Sequence, residues 1–125
     1  MGDYTARRID DMQATYQGRF KKARAELGVR SFGMQILDFP PNADDYPEHE
    51  HVEEGYEEVY LPLRGSGTMR VGGEEIALTP DVLVRVGPAE RRTIAAGPEG
   101  LRLLALGGVP GAVFEPEPFT ELDAP

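Results

Sequence analysis

The stretch YPEHEHVEEGYEEVY, residues 46–60, holds both histidines of the chain, His49 and His51, one residue apart. Six acidic residues lie in the same stretch: Glu48, Glu50, Glu53, Glu54, Glu57 and Glu58. On an extended strand, residues i and i+2 point to the same side, with Cα atoms roughly 6–7 Å apart. Two imidazole nitrogens so placed can converge on one ion at about 2.1 Å from each. A carboxylate returning from the next strand would complete a set of three, and Glu57 and Glu58 both stand far enough along the chain to do so. Two histidines and one carboxylate on one side of an ion leave its other positions open, an arrangement suited to iron (Fe) and also to manganese (Mn), nickel (Ni) or zinc (Zn). The bland alternative is an acidic surface loop that happens to contain both histidines.

The elements that must position these residues are short. The chain has 125 residues, about one ordinary domain. Its 15 glycines and 11 prolines punctuate it at short intervals, the rhythm of brief strands joined by turns in a sandwich or barrel. Residues 20–27 (FKKARAEL) read as a helix stopped by Gly28. Residues 29–39 read as a strand ended by Pro40 and Pro41, with Phe32 and Met34 in the core. Residues 57–64 form another, in which Pro62 demands an edge or a bulge. Gly65, Ser66 and Gly67 read as a turn. Gly72 and Gly73 read as a two-residue hairpin turn between strands 68–71 and 75–78. Strands at 82–86, 92–95 and 101–106 follow, then a Pro- and Glu-rich tail from Val113 whose last residues are expected to be loosely held. The division expected is an N-terminal extension at 1–28, a barrel at 29–112 and a tail at 113–125, within an all-β fold carrying one short N-terminal helix.

Composition narrows the function. With no cysteine, disulfides and thiolate metal sites are excluded. A net charge of −9 repels phosphate backbones, so no nucleic-acid partner is expected. No apolar run approaches the ~18 residues of a membrane span, and the N-terminus lacks the apolar block of a signal peptide. A cytoplasmic protein with no membrane partner is the expectation.

From His49 onward the chain resembles the cupin superfamily. HEH, then Glu58, then six residues (VYLPLR), then Gly65 matches the first cupin motif, and GSGTMRVGGEEIALTP resembles the glycine-rich cupin hairpin. The resemblance covers roughly residues 29–108 and implies a single cupin-type (jelly-roll) β-barrel. It implies metal ligands His49, His51 and Glu58. Strand parity alone leaves Glu57 open, since Glu57 shares its side with Val59, Leu61 and Leu63, whereas Glu58 shares its side with Tyr60. The second cupin motif departs from the family. Pro80 stands where a glycine is usual, and no histidine follows His51, so the fourth ligand is missing. Counting from Pro80, Arg91 falls in its place. An arginine has no free lone pair for an ion. Three possibilities follow: a three-ligand site with water in the vacated place, Glu90 as a substitute ligand, or a metal-free barrel in which Arg91 holds an anion.

The resemblance thus implies a divalent transition metal and a dioxygenase-like or isomerase-like enzyme acting on a small anionic molecule. Arg91 and Tyr60 are then the substrate-binding residues. The alternative is a non-enzymatic small-molecule binding or sensing barrel. The apolar stripe Val59, Leu61 and Leu63 leads to an expected homodimer.

Overall fold

The computed structural model describes residues 2–124. After a 3-10 turn at Ile9–Asp11, the elements are β1 (Ala14–Thr15), β2 (Phe20–Lys21), α1 (Ala23–Leu27), β3 (Gly33–Phe39), β4 (Glu57–Val71), β5 (Glu74–Leu78), β6 (Val84–Val86) and β7 (Arg92–Gly108), followed by a second 3-10 turn at Pro118–Thr120. All pairings are antiparallel, in the order β1-β2-β3-β7-β4-β5, with β6 also on β4. Among the described residues, no helix is long and apolar enough to cross a membrane.

The helix is shorter than its propensity suggests. Phe20 and Lys21 are extended instead, paired with Leu37 and Ile36, because sheet pairing satisfies their backbone groups. Gly28, at φ 78°, ends the helix in the left-handed conformation expected of it. Ala23 is fully buried and packs with Met12 and Ile36 in a small cluster on the outer side of β3, which Met34 also joins. Phe32 lies before the strand and is exposed.

The expected turn at residues 65–67 is a bend within β4, and the expected strands at 92–95 and 101–106 are the two arms of β7. The two long strands bend together. Their register shifts between Pro62 and Arg64 and again between Gly65 and Gly67, which places Pro62 beside a bulge. A Cβ on Gly65 would collide with the carbonyl of Gly100, so the backbones can cross this closely only without one. The Gly72–Gly73 turn forms as expected, with both residues at positive φ and Val71 paired with Glu74.

One apolar core lies inside the bent sheet. It includes Leu37 and Phe39 of β3, Tyr60 and Met69 of β4, and Leu103 and Ala105 of β7. On β4 the inward side carries Glu58, Tyr60 and Pro62, all buried. Val59 and Leu61 face outward and are half-buried, and Leu63 is exposed. Hydrophobicity alone would therefore orient this strand the wrong way; the buried carboxylate keeps its place because it is paired.

The tail beyond Val113 is seated rather than free. Phe119 packs on Phe20 at 5.2 Å between ring centroids. Glu121 pairs with Arg24 at 2.6 Å, and its carbonyl accepts from Lys22 Nζ at 2.8 Å. The two terminal segments thus lie against each other.

Candidate metal centre

The backbones of both histidines are anchored to the chain entering β7. His49 and Arg92 form an isolated bridge, with His49 N donating to Arg92 O at 3.0 Å and Arg92 N to His49 O at 2.9 Å. His51 N donates to Pro88 O at 2.9 Å. This is a single bridge followed by a loop, not the continuous strand that the i, i+2 geometry assumed. The rings nevertheless converge, with centroids 4.9 Å apart. Tyr46 stands 5.5 Å from His49, and Tyr56 stands 5.5 Å from His51.

Glu58 enters from β4, in register with Gly107 on one side and Val86 on the other. A Cβ at Gly107 would stand 3.3 Å from Glu58 Cγ, so the missing side chain leaves the carboxylate its room. The ligand atoms of His49, His51 and Glu58 all lie within 4.8 Å of one another. Glu57 points the other way, partly exposed and paired with Arg85 at 2.5 Å.

The arginine that reaches this centre is Arg92, not Arg91. Arg91 is 61% exposed and pairs with Glu48 on the surface at 2.9 Å. Pairing with β4 sets Arg92 opposite Val71 and Ile94 opposite Met69; with the bridge to His49, this register turns Arg92 and Ile94 inward, and both are buried. Counting along the chain from Pro80 missed this by one residue, and one residue reverses the side on a strand. The alternation of Arg92 with Ile94 was the available signal. Arg92 is fully buried. Its Nη2 donates to Glu58 Oε1 at 2.9 Å and its Nη1 to Glu90 O at 2.8 Å. Glu90 thus contributes only a carbonyl; its side chain is exposed. Tyr60 lies in the core, where its hydroxyl donates to Glu58 Oε1 at 2.7 Å. It holds Glu58 from behind.

These contacts set the charge states. Burial pushes the Glu58 carboxyl up, but hydrogen bonds from His51 and Tyr60 and the charges of His51 and Arg92 outweigh it and hold the carboxyl below its usual range. The hydrogen bond to Glu58 raises the His51 imidazole, against burial and the Arg92 charge. Burial, with the Glu58 charge, pushes Tyr60 far up, so its hydroxyl stays a donor.

The residues fit a metal ion. His49 Nδ1 lies 3.0 Å from the Pro47 carbonyl, which only accepts, so the proton sits there and Nε2 offers its lone pair. His51 Nε2 faces Glu58 at 3.1 Å, while its Nδ1 is buried, has no hydrogen-bond partner among the described residues, and has the Glu54 carboxylate 3.6 Å away. With Nε2 turned to an ion, Nδ1 carries its proton toward Glu54. Among the described residues, Glu58 Oε1 takes every hydrogen bond to that carboxylate, leaving Oε2 free. Ligands about 2.1 Å from a common ion stand at most about 4.2 Å apart, so the trio needs to close only slightly.

The trio opens onto a cavity of about 580 Å³. Gly33 and Gly107 form its floor beside Glu58, and Phe114, Glu117 and Phe119 of the tail form one wall. The sequence offered no sign of this wall, since it depends on contacts across nearly the whole chain.

A solved cupin protein from Bacteroides fragilis superposes with a TM-score of 0.71 over 96% of this chain and 95% of that one, at 22% identity. This chain has the cupin fold. A cupin superfamily protein from Desulfitobacterium hafniense gives a TM-score of 0.55 at 21% identity, covering 65% of this chain and 69% of that one. A protein predicted to be an oxalate decarboxylase, from Thermotoga maritima, gives 0.57 at 21% identity, covering 63% and 68%. No family model matches the chain, and no curated protein matches its sequence. The expectation of a cupin barrel with a short helix therefore holds at the level of fold.

Proposed function

We propose that this cupin barrel binds a divalent transition metal (iron, manganese, nickel or zinc) through His49, His51 and Glu58, and uses it on a small organic molecule held in the adjoining cavity. The convergence of three ligand atoms within 4.8 Å at the wall of a 580 Å³ cavity carries this reading. A bound ion would supply Lewis acidity, or electron transfer if redox-active, through its open positions. The chain's own residues do the rest. Arg92 and Tyr60 fix Glu58 by one oxygen. The Pro47 carbonyl sets the His49 tautomer. Tyr46 and Tyr56 brace the two imidazoles. Dioxygenase-like or isomerase-like chemistry suits such a centre. With Arg91 outside the cavity, an anionic group of the substrate would have to be met by the ion itself.

One observation favours a second reading, a metal-free binding barrel. Arg92 sits in direct contact with Glu58, and its fixed positive charge opposes a cation nearby. The two readings part in a melting experiment. After stripping with a chelator, zinc or manganese at 100-fold over its Kd stabilises the folded state by about 2.7 kcal/mol, a rise of several degrees. The His49→Ala/His51→Ala double variant shows no rise. A wild-type protein whose melting point ignores all four metals contradicts the metal reading.

A further inference from the structure

The cavity has two ends. Near the metal trio, Gly33 and Glu58 both register with Gly107. Four residues along β3, about 13 Å at the usual rise, Leu37 pairs with Phe20, and Phe20 carries Phe119 and Tyr16 against it at 5.2 and 6.4 Å. This far end joins β3 to the two terminal segments. Its rings present an apolar surface to whatever fills the cavity.

The charged groups lining the cavity are nearly all taken. Arg19 pairs with Asp45 at 2.7 Å, and Arg24 with Glu121 at 2.6 Å. Asp38 is held by Lys21 at 2.6 Å and Arg102 at 2.8 Å, and Glu58 by Arg92. Among the described residues, Glu117 alone of the lining charges has no ion-pair partner. Its carboxylate lies near enough to Tyr56 to help raise that phenol. Among the described residues, the one uncompensated charge in the wall is therefore negative, and no unpaired cation lines the cavity. An anionic group carried away from the metal would lose its water and meet no partner.

We infer that the cavity takes a small ring compound that is neutral away from its metal-facing end, seated against Phe20 and Phe119, where the described residues offer no unpaired cation to an anionic substituent. The specificity wall then lies in residues 114–120 rather than in the metal motif. This deepens the proposed function and rests on it for the identity of the metal-facing end. The anionic substrate expected from Arg91 gives way to one whose negative charge, if any, sits only on the atoms facing the ion.

The test uses matched probes. On zinc-loaded protein, 4-tert-butylcatechol and 3,4-dihydroxybenzoate offer the same two oxygens to the ion and differ at the far end. Titration should show the neutral probe at least ten-fold tighter. Phe119→Ala should weaken the neutral probe at least five-fold, and Glu117→Lys should tighten the carboxylate probe at least five-fold. On chelator-stripped protein, 4-tert-butylphenol should likewise exceed 4-hydroxybenzoate. That second comparison separates the two proposals, because it reads the cavity whether or not zinc binds. Carboxylate probes binding as tightly as neutral ones, or neither phenol binding, would overturn the inference; absence of zinc binding alone would overturn only the metal reading.

Discussion

Arg92→Met destabilises the metal-free protein by about 3–5 kcal/mol, whereas Arg91→Met changes stability by less than about 0.5 kcal/mol. The two arginines are neighbours in sequence and opposites in environment. Arg92 is fully buried against a carboxylate that is itself 10% exposed. Removing it leaves Glu58 charged and buried, with only Tyr60 and His51 to satisfy it. Arg91 gives up an ion pair between two exposed side chains, 61% and 56% accessible, which contributes little in water. For a chain of this size, the Arg92 loss corresponds to a fall in melting temperature of roughly 10–20 °C. Saturating zinc should restore part of it in Arg92→Met, because the ion replaces the missing positive charge beside Glu58. Urea unfolding of both variants, with and without zinc, reads all of this. Equal effects from the two arginines would contradict the placement of Arg92 in the site.

Glu58→Gln removes the centre's one anionic ligand and strands Arg92 at the same time. It should lose stoichiometric metal, to below about a tenth of an ion per chain, and should be destabilised on the scale of the Arg92 variant. Glu57→Gln should keep both metal and stability, since Glu57 is partly exposed and, among the described residues, reaches only Arg85. His49→Ala and His51→Ala should lose the metal with a smaller stability cost, because both rings are only half-buried. Elemental analysis paired with denaturation separates the three patterns. Metal retained in Glu58→Gln but lost in Glu57→Gln would reverse the ligand assignment.

Much of this site is written along the chain. The HEH tripeptide, Glu58 and Gly65 stand at the spacing that makes the chain resemble the cupins, so the resemblance implies the trio and the barrel, whereas strand parity alone leaves Glu57 open. The Gly72–Gly73 hairpin is legible for the same reason: two adjacent residues must both take positive φ, and glycine does so freely. What the sequence hides is register and distance. Whether Arg91 or Arg92 faces inward depends on the pairing of β7 with β4, which sets Arg92 opposite Val71, and on the bridge to His49, more than forty residues earlier. The bend at Gly65 looks like a turn until Gly100 is found opposite it. The orientation of β4 contradicts its apolar stripe because Glu58 is buried with partners drawn from β7 and the histidine loop. The last residues of the tail read as loosely held, yet Glu121 pairs with Arg24, and Phe119 just before it meets Phe20 from the other end of the chain. Long-range pairing of this kind leaves no local pattern to find.

The most direct test of the central claim is the metal content of the untagged protein, purified without chelator and then reconstituted in turn with iron, manganese, nickel and zinc. About one ion per chain is expected with at least one of these metals, lost when His49 and His51 are both replaced by alanine. A wild-type chain that retains none of the four, or a double variant that retains as much as wild type, would contradict it.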